Sequence, residues 1–339
     1  MAERGLLDLM IARLTELSMR EKLLLSVLFY TEADLIQKNK PDIEEVIGRP
    51  LAAFWNYDTI RLQAERDAAA ARLKGINWVS WHNSAYPPLL REIYDSPVLL
   101  FFRGMLPNPE APLAAIVGTR KPSPRAAVQA FDIARGLAQN GISVVSGLAL
   151  GIDAMAHRGN IEGGAPTAAV LGSGLDAIYP SSNRTLARRV LETGGCLLSE
   201  YPPGTSPRKW NFPARNRIIS GLARGVLIVE APQRSGALIT ARFALEHNRE
   251  LWVASSGAAD DDGRQMVFDR QGTKKLAGEG AEIIYQASDI LKAWNMEGSK
   301  ESDTGHEPEG TNSCGIAAAP AGAGLASSLA HSLGIKIEV

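Results

Sequence analysis

Cysteine is scarce in this chain of 339 residues: two, Cys196 and Cys314, neither in a CxxC pair nor clustered with histidines. That excludes a disulfide framework and a structural zinc site, and it points to a reducing compartment. A long apolar run is also lacking. The longest, Leu23 to Tyr30, is broken by Ser26 and falls far short of a bilayer span. The N-terminus, MAERGLLDLMIARLTEL, mixes acids and bases among its apolar positions without a cleavage signature, so it does not read as a signal peptide. A cytoplasmic location with no membrane partner is expected. Charge of one sign is not in excess either, since Lys+Arg 36 against Asp+Glu 37 leaves a net −1. Without a global basic field, any polyanion must be held by a local patch. The GxGxxG fingerprint of dinucleotide binding is missing too, and neither a cofactor nor a metal is expected.

What is there is ordinary in bulk and specific in detail. Hydrophobic residues at 45% and charged residues at 22% suit a globular chain, long enough for one large α/β domain with smaller attachments. From Leu6 onward, apolar residues recur at helical spacing, and Ser18-Met-Arg-Glu21 forms a capping-box pattern before KLLLSVLF. Residues 1–75 therefore read as a small helical (SAM-like) module. Residues 76–104 change character, with short strand-type runs around YPPLL and with His82 on a surface turn. A regular alternation follows: LAAIVG, ISVVSG, TAAVLGSG, CLLSEY, GVLIVEA and LWVASSG are continuous apolar strands separated by amphipathic helices. Such a rhythm predicts a doubly wound parallel sheet, a Rossmann-like α/β domain over 76–292. Residues 293–323, rich in Gly, Ala, Ser and Pro, read as a flexible linker, and 324–339 as a short terminal segment.

The chemistry concentrates in residues 205–221, TSPRKWNFPARNRIISG. Arg208, Lys209, Arg215 and Arg217 surround Trp210 and Phe212 with no acid among them, a phosphate-binding composition. Pro207 and Pro213 are expected to keep this segment extended, with a helix beginning at Asn216. A solvated basic loop with two anchored aromatics is the plain reading of such a run, but four strand-to-helix turns favour more. Gly118-Thr119-Arg120 offers a close backbone approach and a cation. Ser146-Gly147 leads to Asp153 in a helix's first turn, and Gly172-Ser173-Gly174 leads to Tyr179-Pro180. Arg234-Ser235-Gly236 stands where a strand turns into a helix, a preformed anion site. His157 has no nucleophile beside it in the sequence and reads as structural.

Across YPPLLREIYDSPVLLFFRG, IVGTR, SGLALGIDAMAH, AVLGSGLDAIYPSSN, LLSEYPPGTSP, FPARNRIISGL and VLIVEAPQRSGALIT the chain resembles the bacterial DNA-processing protein A (DprA or Smf) family. The resemblance covers roughly residues 86 to 257. It implies an extended Rossmann fold and a homodimer that binds single-stranded DNA in a basic pocket and loads the RecA recombinase during natural transformation, without enzymatic activity. Carried over by motif, the DNA-binding positions are Gly118, Thr119, Arg120, Gly147, Lys209, Phe212, Arg215, Asn216, Arg217, Ser235 and Gly236. Cations then hold phosphates while Phe212, with Trp210, stacks on bases. Two departures stand out: an acidic run, Asp260 to Asp262, follows the last strand, and the C-terminal residues are at most a vestige of a winged helix. The alternative is a nucleotide phosphoribohydrolase of the Lonely Guy type, whose architecture is similar. Its signature ends in a catalytic glutamate, whereas RSGALITARFALE here has no acid before Glu246.

Overall fold

The N-terminal helices begin where the sequence supplies caps. In the computed structural model, which describes residues 2–259 and 269–296, α1 (Ala2–Arg13) is followed by α2 (Met19–Leu28), α3 (Glu32–Ile36), α4 (Lys40–Ile47) and α5 (Tyr57–Leu73). Ser18 with Glu21, Thr31 with Asp34 and Asn39 with Asp42 each close a reciprocal capping box, satisfying otherwise orphaned N–H groups. The helices turn Leu7, Met10, Leu25 and Ile43 fully inward. Arg13 clamps Asp67 of α5 through two N–H donors at 2.5 and 2.6 Å.

Two antiparallel strands, β1 (Asn77–Ser80) and β2 (Leu99–Gly104), enclose the short helix α6 (Pro88–Arg91). His82, expected on a surface turn, is instead half-buried: its Nε2 lies 3.0 Å from the Ser26 hydroxyl of α2. Burial first, then the neighbouring Arg4 charge, lowers its pKa to about 4. The strand end and the helical region therefore share a polar contact that the turn composition alone does not reveal.

From residue 113 the alternation becomes parallel sheet: β3 (Leu113–Val117), α7 (Pro124–Gln139), β4 (Ser143–Ser146), α8 (Ile152–Glu162), β5 (Ala168–Val170), α9 (Arg184–Glu192) and β6 (Cys196–Ser199). After these come α10 (Asn211–Leu222), β7 (Gly225–Ile228), α11 (Gly236–Glu246), β8 (Glu250–Ala254), α12 (Ser255–Ala258), α13 (Gln271–Gly278), β9 (Glu282–Ile284) and α14 (Ala287–Ala293). Among the described residues the sheet has nine strands in the order β1-β2-β6-β5-β4-β3-β7-β8-β9. β3 and β7 pair in parallel, Ala114 opposite Gly225 through Val117 opposite Ile228, and here the order of winding reverses. Strands β3, β5, β6 and β7 are buried along their whole length, which is why they read as unbroken apolar runs.

Helix α7 packs on α8 and α14, and α10 packs on α11. Ile116, Val144, Leu227 and Trp252 join Ile133 and Leu137 of α7 in one core. Trp294 belongs to it, 3% exposed, with its ring centroid 5.7 Å from that of Trp252 and its N–H donating to Glu250 at 3.0 Å. Trp294 and Met296, read from sequence as part of a linker beginning at residue 293, thus pack in and against the core. A second correction concerns residues 205–221, expected to be extended as far as a helix starting at Asn216: α10 begins earlier, at Asn211, and takes Pro213 into its first turn, where no helical N–H bond is lost. Asp260 to Asp262, Cys314, residues 297–323 and the segment 324–339 lie outside the described residues. Among the described residues no helix is long and apolar enough to cross a membrane.

Candidate nucleic-acid interface

Where the winding reverses, the loops after β3 and β7 diverge and leave a cleft at the carboxyl edge of the sheet. Its volume is about 1390 Å³, and Gly118, Thr119, Arg120, Lys209, Phe212, Arg215, Asn216, Ser235 and Gly236 all line it. Nine positions drawn from three separate stretches of sequence converge on one surface. Gly147 lines a small recess that continues from the cleft past Arg120, Tyr179 and Phe212.

Arg120 and Lys209 are exposed on the rim, and among the described residues neither is in an ion pair. The Arg120 guanidinium lies 5.9 Å from the centroid of the half-buried Phe212 ring, and Phe212 in turn lies 5.4 Å from Tyr179. This places a cation over an aromatic pair beside open solvent. Arg208 and Trp210 sit outside the cleft lining, stacked on each other at 5.5 Å, with Trp210 66% exposed.

Arg215 is buried below the rim cations. Its Nη1 donates to the carbonyls of Gly147, at 2.7 Å, and Val170, and its Nε donates to Asn216 Oδ1 at 3.1 Å. Asn216 passes the brace on, donating to the Gly236 carbonyl at the start of α11 at 3.0 Å. Burial pulls the Arg215 pKa down to about 10, a shift that Asp153 opposes and Arg120 reinforces, so the group stays protonated at neutral pH. Gly147 is required by this packing: a Cβ there would meet the guanidinium at 2.6 Å. Its N–H also donates to Asp153 Oδ2 at 3.1 Å, so Gly147 is a floor beneath Arg215 rather than part of the open surface. Burial raises the Asp153 pKa.

Ser235 leads into α11 in an extended conformation, and its buried hydroxyl has no hydrogen-bond partner among the described residues. The first-turn N–H groups of α11 open onto the same cleft, together with the exposed Arg234. Glu230, the buried acid nearby, is already engaged by the Ser123 N–H at 2.7 Å and by Arg270 at 3.0 Å.

Arg217 does not join the site. It points away from the cleft, with Nη2 2.6 Å from Glu200 and Nε 2.9 Å from Asp95. Burial alone would lower its pKa, but the two carboxylates outweigh that and raise it. Two residues along one helix turn of about 100° each explain the separation from Arg215. Tyr179 and Arg242 are lining residues that sequence reasoning did not place there. The Tyr179-Pro180 pair in the third turn was the available signal for the first; for Arg242, spacing along α11 gave none. His157 is fully buried with Nδ1 2.8 Å from Thr167, and burial drops its pKa to about 3.

The structure is that of a doubly wound α/β protein whose switch-point cleft gathers cations without ion pairs among the described residues, a helix N-terminus and an aromatic pair, a chemistry suited to an anion. Residues 77–295 match the family described as DNA recombination-mediator protein A, and the chain belongs to that family. It is 43% identical over 210 residues to protein Smf of Synechocystis, 42% over 209 to DNA processing protein DprA of Streptococcus pneumoniae, and 39% over 228 to its namesake in Bacillus subtilis. These matches cover 61%, 62% and 67% of this chain and 51%, 71% and 74% of those proteins, so about half of the Synechocystis protein is spanned. The X-ray structure of DprA from Streptococcus pneumoniae superposes with a TM-score of 0.66 at 34% identity, over 85% of this chain and 96% of that one. DprA from Helicobacter pylori, whose structure concerns its single-stranded DNA binding mode, gives 0.55 at 30% identity over 65% and 96%.

Proposed function

We propose that this protein is a non-enzymatic mediator that binds single-stranded DNA in the switch-point cleft, protects it in the cytoplasm and delivers it to the RecA recombinase during natural transformation. The observation that carries the reading is the rim itself: Arg120 and Lys209, unpaired and exposed, beside the Phe212 and Tyr179 rings. Cations for phosphates and ring faces for bases are what a sequence-tolerant single-strand site needs, because every base has a π-face. Gly118 and Thr119 let the backbone approach, while Ser235 and the α11 N-terminus add neutral donors. Arg215 and Asn216 form the positively charged floor. Arg217 holds α10 in place rather than touching DNA.

The single-strand binding named for the Helicobacter pylori relative supports the same ligand here. A homodimer fits the exposed apolar pair Val128 and Tyr285, 57% and 67% exposed, which line one shallow depression. The phosphoribohydrolase alternative finds no support, since Asp153 and Glu230 are both engaged by donors and Glu246 is paired with Arg242 at 3.2 Å. The deciding experiment is a fluorescence-anisotropy titration of oligo-dT and duplex at two salt concentrations, beside a nucleoside-monophosphate hydrolysis assay. Salt-sensitive preference for the single strand with no ribose release is expected. Equal affinity for duplex, or ribose release, overturns the reading.

A further inference from the structure

The cleft does not end at its aromatic pair. Tyr179 and Leu150, each 45% exposed, continue the surface from Phe212 toward α9. Asn183, the residue before α9, is pinned to this rim: its amide donates to the carbonyls of Leu148 and Ala149 at 2.9 and 3.1 Å. Helix α9 therefore starts against the cleft wall and runs away from it. Its sequence, RTLARRVLE, buries Leu186, Ala187 and Val190 and leaves Arg184, Arg188 and Arg189 exposed. Arg184 and Arg188, four residues apart, lie on one face.

Helix α8, packed beside α9, exposes Arg158. At a 1.5 Å rise, Arg158 is about 9 Å and Arg188 about 6 Å along their helices from the same sheet edge. Among the described residues, none of Arg158, Arg184, Arg188 and Arg189 is in an ion pair. The acids on these helices that face solvent, Glu162 and Glu192, occupy the last turns, four residues past Arg158 and Arg188 and on the side away from the cleft, and among the described residues neither is paired with those arginines. Positive charge is thus unmatched nearest the cleft mouth, where a polyanion would emerge.

We propose that a single strand leaving the cleft crosses Tyr179 and Leu150 and continues along the outer face of α9, with its phosphates held by Arg184 and Arg188 and by Arg158 of α8. The protein then has an extended footprint, with a short inner site and a purely electrostatic outer track. This inference rests on the reading of the cleft as a single-strand site. The track has cations but, beyond Leu150, no exposed aromatic among Arg184 to Glu192, so it grips backbone without stacking on bases.

The test uses the full chain with the paired substitution Arg184→Glu/Arg188→Glu, and oligo-dT of about 6 and about 24 nucleotides, bracketing the roughly 4–16 nucleotides that single-strand folds cover. Arg66→Glu/Arg72→Glu on α5 supplies the same change of net charge elsewhere, and circular dichroism checks folding. The expected result is unchanged affinity for the short oligonucleotide and at least a severalfold loss for the long one. The salt slope for the long one should fall by about 1.4, from about 0.7 for each phosphate released. Equal loss on both lengths, no loss on either, or the same loss from the α5 pair overturns the track. If the unaltered protein binds neither length, the cleft reading itself fails and the track falls with it.

Discussion

The two faces of α10 carry arginines of opposite fate. On one face Arg215 meets carbonyls and the rim cations stay unmatched; on the other, Arg217 is closed off by Glu200 and Asp95 at 2.6 and 2.9 Å. The second face continues in the same manner, with Arg249 near Glu92 at 3.6 Å and His247 against Ser220 at 3.0 Å. One run of sequence, RKWNFPARNR, thus feeds both a site open to an anion and a closed ionic core. Availability to a polyanion is decided by where the acids fall, and those acids come from the turns after α6 and after β6. A guanidinium already matched by carboxylates has little left to offer phosphate, whatever its motif.

The largest effect should come from breaking the closed face. Arg217→Ala leaves Glu200 buried without its partner and should cost about 3–5 kcal/mol of stability by urea denaturation, while the oligo-dT affinity of the folded fraction is retained. On the open face, Phe212→Ala should weaken oligo-dT binding by about 1–3 kcal/mol with a smaller change in stability, read by anisotropy. Gly147→Ala drives a methyl into the Arg215 guanidinium and should cost about 1–3 kcal/mol in stability, together with a loss of binding. Arg120→Ala and Lys209→Ala should leave stability unchanged and each lower the single-strand salt slope by about 0.7.

Acid sharpens the comparison from another side. His82, His157 and His247 have pKa values lowered from 6.5 to about 4, about 3 and about 4, chiefly by burial. Each is neutral when folded and takes up a proton more readily when unfolded, so its stabilising contribution is complete above pH 6.5 and declines toward pH 4. Asp8, raised to about 6 by burial, and Asp153, also raised by burial, act in the opposite sense. The urea midpoint should therefore fall as pH drops from about 6.5 toward 4, with the three histidines outweighing the two aspartates.

Much of this was legible in the sequence for physical reasons. Unbroken apolar runs such as LAAIV and GVLI have few alternatives to buried parallel strands, and Ser18 with Glu21 announces its own helix start. The cleft was legible because Gly118-Thr119-Arg120 and Arg234-Ser235-Gly236 sit at strand ends, and strand ends share one edge. Side-chain direction was not. Arg217 carries the same motif credentials as Arg215, and only the fold brings Asp95 and Glu200 to it from far along the chain. Pro213 misled for a related reason: proline opposes a helix interior but not its first turn, and which of these it occupies depends on where the helix begins. His82 was misplaced because its partner, Ser26, is 56 residues away.

The seat of Arg215 has a kinetic corollary. Its guanidinium is held against the Gly147 and Val170 carbonyls before any ligand arrives, so folding has already removed most of its water and fixed its rotamer. On the proposed single-strand reading, such a group adds little to the long-range pull on an incoming strand, which falls to Arg120 and Lys209 outside. Arrival rate and residence time are thereby assigned to different cations, the first sensitive to ionic strength and the second to the integrity of a single glycine floor.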